Sequence, residues 1–157
     1  KENKKILEYV NKNFKKVFIS TGTSTIEEVK NSINLLDNVE VVLLHCVSSY
    51  PCDFNQSNLP RIKHLRSICD SIGYSDHVQG IDTAMTSLEF DLAVIEKHFT
   101  IDNDLPGRDN KFAILPDELR HLINYIKNRT LSLIDSGPDY LDSENEVRNI
   151  YSGRFDI

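Results

Sequence analysis

The sequence predicts an α/β fold assembled from parallel βα units, and three observations carry that expectation. Short apolar runs rich in β-branched residues alternate along the chain with amphipathic segments of helical length. No hairpin turn joins one apolar run to the next, which leaves parallel pairing through helical crossovers. The runs are apolar at consecutive positions, so a sheet made of them needs cover on both faces.

The elements follow in order. The charged segment Lys1 to Lys16 places Ile6, Leu7, Val10 and Phe14 on one helical face, which predicts a helix that packs on a neighbour. Val17, Phe18 and Ile19 form a short buried strand that stops at Ser20, Thr21 and Gly22. Ser24 with Glu27 makes a capping-box pattern, and Ile26, Val29, Ile33 and Leu36 continue at helical spacing. Val41 to Val47 is a continuous apolar strand, and Ile62, Leu65, Ile68 and Cys69 mark the next helix. Ile72 to Ser75 is a brief strand, Ile81 to Leu88 a helix, and Leu92 to His98 a fourth strand. Pro116 opens an amphipathic helix through Leu119, Leu122, Ile123 and Ile126. From Leu133 onward Asp, Ser, Glu, Gly and Arg gather around Pro138, so residues 133–157 read as a tail or linker after a domain of residues 1–132.

With 157 residues and 39% hydrophobic content, the chain can close one compact domain around a core. A net charge of −6 argues against a polyanion-binding surface, while a small, locally bound anion remains compatible with it. Cys46, Cys52 and Cys69 are odd in number and lack C-x-x-C spacing, so neither a disulfide framework nor a zinc knuckle is expected, and a reducing cytoplasm fits best. No apolar run approaches the roughly 20 residues of a membrane span, and no signal-peptide pattern opens the chain. The first residue is Lys1 rather than Met, the pattern of a processed or cut chain.

Each predicted strand ends in polar or ionisable residues. They are Ser20 and Thr21, then His45 through Tyr50, then Ser75, Asp76 and His77, then Lys97 and His98. In a parallel (β/α)8 barrel such ends share one rim, where active sites are built. Ser20-Thr21-Gly22-Thr23-Ser24 matches neither G-x-G-x-x-G nor a P-loop, which weakens a dinucleotide-binding reading. Ser20 and Ser75 are equally able to cap the helices that follow them, and only their recurrence at strand ends favours a site. His77 and His98 close neighbouring strands, where two neutral imidazoles can share a divalent ion, although a lone histidine is more often a hydrogen-bonded structural residue. His64 and His121 sit among charges in predicted helices, and His45 lies one position inside its strand's polar end, so all three read as structural. Pro106-Gly107-Arg108-Asp109-Asn110 is a polar turn placed to cover the rim. Lys15 and Lys16 read either as a solvated pair or as a phosphate or carboxylate partner entering the barrel wall.

Five stretches in register carry a resemblance. They are Ile19-Ser-Thr-Gly-Thr-Ser-Thr25, Leu44-His-Cys-Val-Ser-Ser-Tyr-Pro51, Gly73-Tyr-Ser-Asp-His77, Glu96-Lys-His-Phe-Thr100 and Pro106-Gly-Arg-Asp-Asn110. In order and spacing they resemble the sialic acid synthase family, which includes the N-acetylneuraminate, legionaminate and pseudaminate synthases. The resemblance implies a phosphoenolpyruvate-dependent transferase of the cytoplasm, condensing phosphoenolpyruvate with an N-acylated hexose such as N-acetylmannosamine and releasing phosphate. It implies that His77 and His98 hold a divalent metal, Mn²⁺ or alternatively Mg²⁺ or Co²⁺, that polarises the sugar aldehyde. By motif position Lys15, Ser20, Ser48 and Ser75 look like the phosphoenolpyruvate contacts, and Tyr50 and Asp109 like contacts to the sugar. Lys15, Tyr50 and Asp109 are the expected catalytic residues. Thr23 stands where the family usually has Met, and Ser48 where some members have Asn.

The implied fold is the (β/α)8 TIM-barrel type with only the last four βα units, strands 5 to 8. A closed barrel needs about 200 residues or more. The family's early Glu and Lys, and an antifreeze-like domain that lends an Arg to a partner's site, are not visible in this sequence. The expected partners are therefore a second copy in a homodimer, or the missing barrel half, and the isolated chain is expected to lack part of its site. Two other readings stand beside this one. In the first, the chain is a non-catalytic half-barrel that hides its open edges by association. In the second, it belongs to another phosphoenolpyruvate-dependent aldol synthase, of the sugar-phosphate type.

Overall fold

A computed structural model describes residues 3–154. The first two residues of the expected N-terminal helix and the last three of the expected tail lie outside the described residues. The chain divides into two compact units, residues 1–125 and 126–157.

In the first unit, α1 (Lys4–Asn13) leads into β1 (Lys16–Ser20), followed by α2 (Ile26–Ile33), β2 (Glu40–His45), α3 (Arg61–Arg66), β3 (Ile72–Asp76), α4 (Asp82–Ser87) and β4 (Val94–Lys97). The strands form one parallel sheet in the order β1-β2-β3-β4. This is half a barrel in form, and the four expected strands and their crossovers are all present. The next helix, α5 (Pro116–Ser132), begins in this unit and crosses the boundary at Tyr125. The second unit also holds α6 (Asn145–Tyr151), whose residues are all exposed. The segment read as a tail thus contains a helix, and the compact first unit ends seven residues short of Ser132, inside α5.

Register and pleat sort the strand residues onto two faces. Ile19, Leu43, Ile72 and Tyr74 lie on the face covered by helices, where Val29 of α2 and Ile62 and Leu65 of α3 complete the core. Ser20, Leu44, Gly73, Ser75, Val94 and Glu96 lie on the opposite face. Gly73 is required there, because a Cβ would meet Leu44 Cδ2 at 2.6 Å and Val94 Cγ1 at 2.5 Å.

Helix α2 starts one residue later than the sequence suggests. Its cap is Thr25, whose hydroxyl accepts from the Glu28 N–H at 3.2 Å, while the Glu28 carboxylate accepts from the Thr25 N–H at 2.8 Å. Both Ser24/Glu27 and Thr25/Glu28 satisfy the capping pattern, and the structure uses the second. Ser24 instead donates to the Gly22 carbonyl at 3.3 Å. Helix α1 forms as expected but buries none of its residues, with Ile6 57% and Tyr9 62% exposed, and Phe14 just after it is exposed as well.

Candidate functional site

The C-terminal ends of β1 to β4 share one rim, and most of the expected site residues meet there. The turn after β1 rests against the segment after β2. A Cβ on Gly22 would lie 2.2 Å from Ser48 Oγ and 2.9 Å from Cys46 Sγ, so a larger residue would have to displace both side chains. Arg61, at the start of α3, braces the same turn by donating to Thr21 Oγ1 at 2.9 Å and to the Ser24 carbonyl at 2.8 Å. Thr21, Thr23, Ser24, Thr25, Ser48 and Arg61 line a cavity of about 460 Å³ with one cation and several hydroxyls. Because Thr25 caps α2, the Ser20 hydroxyl at the end of β1 is not the helix cap. Ser75 is not a cap either: it is buried, and its hydroxyl donates to Glu96 Oε1 at 2.6 Å.

His77 follows β3 and His98 follows β4, with ring centroids 5.4 Å apart at an interplanar angle of 74°. His77 is buried, and its Nδ1 lies 2.7 Å from the Val47 carbonyl oxygen. A carbonyl only accepts, so Nδ1 carries the proton and Nε2 presents a lone pair. Ser75 Oγ sits 3.4 Å from that nitrogen, at the outer limit of contact. The Tyr50 ring packs over His77, with centroids at 4.3 Å, and stands 6.0 Å from His98. Asp109 Oδ2 is 3.7 Å from His98 Nδ1, facing the imidazole beyond hydrogen-bond length. Tyr50, His98, Arg108, Asp109 and Phe112 line a second cavity of about 300 Å³.

The donor chemistry suits a divalent ion of the type that imidazole binds. A metal-ligating histidine usually donates its second ring N–H to a carbonyl or carboxylate, and His77 already does so toward Val47. Among the described residues no group of three or more His, Cys, Asp or Glu side chains is arranged around one point, so the pair would leave coordination positions open.

Lys15 does not join the site. It precedes β1, at the opposite end of the strand from Ser20, and is exposed with its carbonyl accepting from the Glu40 N–H at 2.9 Å. At roughly 3.3 Å per residue, the length of the strand separates it from the rim. Strand polarity is the reason: a lysine before a parallel strand falls on the face away from the active rim. Several rim residues carried no assignment from sequence. Glu96 opens the fourth of the resembling stretches, yet its bond to Ser75 depends on cross-strand register. Arg61 comes from a helix, and Phe112 lies beyond the Pro106–Asn110 turn.

His45 is buried on the helix-covered face, stacked on Tyr74 with centroids 5.5 Å apart, and its Nε2 donates to the Ser57 carbonyl at 2.8 Å. Its Nδ1 is buried and has no hydrogen-bond partner among the described residues. Desolvation, opposed by the Ser57 carbonyl and reinforced by the Arg61 charge, holds its pKa below the ordinary histidine value. Burial pushes the Cys46 and Cys52 thiols up, so neither is a thiolate nucleophile at neutral pH.

The fold and sequence have clear relatives. A family model described as the NeuB family matches residues 1–136. An uncharacterized protein of Methanocaldococcus jannaschii is 40% identical over 126 residues, covering 78% of this chain and 37% of the relative. The N,N'-diacetyllegionaminic acid synthase of Campylobacter jejuni is 33% identical over 142 residues, covering 87% of this chain and 42% of that enzyme. The crystal structure of N-acetylneuraminic acid synthetase from Leptospira borgpetersenii, solved with citrate, superposes with a TM-score of 0.79 at 31% identity. That alignment covers 96% of this chain and 55% of the synthetase. The chain therefore spans 37% and 42% of the two curated relatives' lengths. With the family model spanning most of its length, the chain belongs to the NeuB family.

Proposed function

We propose that this chain is the C-terminal half, strands 5 to 8, of the barrel of a nonulosonic acid synthase. That enzyme condenses phosphoenolpyruvate with an N-acylated hexose and releases phosphate. The observation that supports this most is the convergence at one rim of two imidazoles, one with its Nε2 lone pair presented, beneath a tyrosine ring. Family membership, and relatives named as legionaminic and pseudaminic acid synthases, support the substrate class.

In this reading His77 and His98 hold a divalent ion, with Mn²⁺ the first choice. When bound, the ion supplies Lewis-acid polarisation of a carbonyl oxygen. The chain's own residues do the remaining work. The Val47 carbonyl fixes the His77 tautomer so that Nε2 faces the site. Ser20, Ser48 and Ser75 offer short hydroxyl hydrogen bonds to the carboxylate and phosphate oxygens of phosphoenolpyruvate. Ser75 donates its single O–H to Glu96 in the structure, and turns that hydroxyl from the carboxylate to a phosphoenolpyruvate oxygen when the substrate binds. Tyr50 and Asp109 contact the sugar, the ring shielding the imidazoles from water and the carboxylate accepting from hydroxyls. The enzyme works in the cytoplasm as a homodimer.

The test uses the full-length protein. Phosphate release from phosphoenolpyruvate is expected to require both Mn²⁺ and an N-acylated hexosamine, and to drop at least about 100-fold in His77→Ala, the scale of lost metal affinity or activity at such sites. Absence of release with every N-acylated hexose tried sinks the reading. A requirement for a phosphorylated acceptor instead points to the sugar-phosphate class.

A further inference from the structure

Behind the two imidazoles, on the opposite face of the same strands, lies a buried ion pair. Asp76 and Lys97 are cross-strand partners, with Nζ 2.9 Å from Oδ2 and side chains 0% and 7% exposed. Each sits one residue before an imidazole, Asp76 before His77 and Lys97 before His98. The Lys97 ammonium also donates to the carbonyl of Val78, the residue after His77. Asp76 Oδ1 accepts from the Val78 N–H at 2.9 Å and from the Tyr74 hydroxyl at 3.0 Å. One ammonium therefore ties down the residues on both sides of His77, and its own residue carries His98 as its neighbour. The adjacent rung is closed on the inner face by Ser75 and Glu96.

Packing alone does not account for this arrangement. Two desolvated charges are often no more stabilising than apolar side chains of similar volume. An apolar pair would fill the layer but could not bind the N–H and the carbonyl of Val78, the residue after His77. Burial, with the Asp76 carboxylate beside it, also keeps the Tyr74 phenol protonated, so the third member of the cluster remains a donor. We infer that Asp76 and Lys97 are positioning residues that set the separation and orientation of His77 and His98, an inference that rests on the reading of those histidines as the metal pair.

The test combines two variants of the full-length protein with measurements that do not depend on turnover. Lys97→Met/Asp76→Asn removes the ammonium without leaving a buried carboxylate unpaired. Lys97→Arg keeps the charge but replaces a compact ammonium with a planar fork. In both, Mn²⁺ affinity, read from the electron paramagnetic resonance signal of the free ion, is expected to fall roughly 10- to 100-fold. The melting temperature of Lys97→Arg should stay near that of the parent, and crystal structures should show the imidazole separation moved from 5.4 Å. Parental Mn²⁺ affinity with unchanged ring spacing in either variant overturns the proposal, as does a loss of affinity that merely tracks loss of stability. If the parent binds no Mn²⁺, the metal reading fails, and the ring spacing in the variants alone decides the positioning role: displacement supports it and an unchanged 5.4 Å overturns it.

Discussion

His45 and His77 both stand at strand ends, yet the pleat sends them to opposite faces of the sheet. His45 lies on the helix-covered face, two residues along the chain from the carbonyl that holds His77, and its own ring is fully buried. Desolvation is the main cause of its lowered pKa, so the folded state binds fewer protons at this site than the unfolded state, whose imidazole titrates near about 6.5. The sign follows. Its contribution to stability is complete above the unfolded pKa and is lost as pH falls toward the lower folded value. Urea unfolding midpoints of the wild type should decline on acidification below about pH 6.5, and His45→Gln, which keeps a donor for the Ser57 carbonyl, should flatten that decline. An equal decline in both proteins means that His45 is not the group responsible. The sequence placed this histidine correctly on the structural side because it stands one position inside the polar strand end. It could not disclose the Ser57 partner, which arrives from a separate loop.

At the scale of elements, the strand ends were legible because each apolar run stops abruptly at hydroxyls or imidazoles, and parallel pairing brings such ends to one rim. What stayed hidden depends on register and phase. Asp76 and Lys97 are ordinary charges until β3 and β4 pair in the observed register. Lys15 resembles a phosphoenolpyruvate contact by its charge and its place beside the first motif, but it precedes β1, and the direction of that strand carries it away from the rim. The cap of α2 is the same kind of case, since two overlapping S/T-x-x-E patterns are one residue apart and packing chooses between them. Thr25→Ala should cost about 1 kcal/mol, the usual loss for a hydroxyl cap, while Ser24→Ala should stay within about 0.5 kcal/mol of the parent. Denaturant midpoints compared at constant slope measure both, and a larger loss for Ser24→Ala reverses the assignment.

The first unit as a whole presents surfaces that a monomeric half-barrel would leave wet. β1 and β4 are the two ends of the strand order, so each offers a row of backbone donors and acceptors for pairing. Phe18 projects from β1 on the face away from the helices and is 52% exposed, although its cross-strand partner Val42 is fully buried. Ile6 and Tyr9 of α1, with Phe14 just after it, add to the uncovered area. Exposed apolar area of this kind beside an unpaired edge marks a place of association. The free 157-residue chain is therefore expected to self-associate, with a weight-average mass that rises above 18.0 kDa as concentration increases in sedimentation equilibrium. Phe18→Lys places a charge on the edge strand, a common natural means of blocking edge pairing, and should return the mass toward that of the monomer. The substitution lies at an exposed position, so it should leave the melting temperature nearly unchanged. A wild-type chain that remains monomeric up to its solubility limit rules out association through this edge. Association that persists unchanged in Phe18→Lys moves the contact elsewhere on the chain.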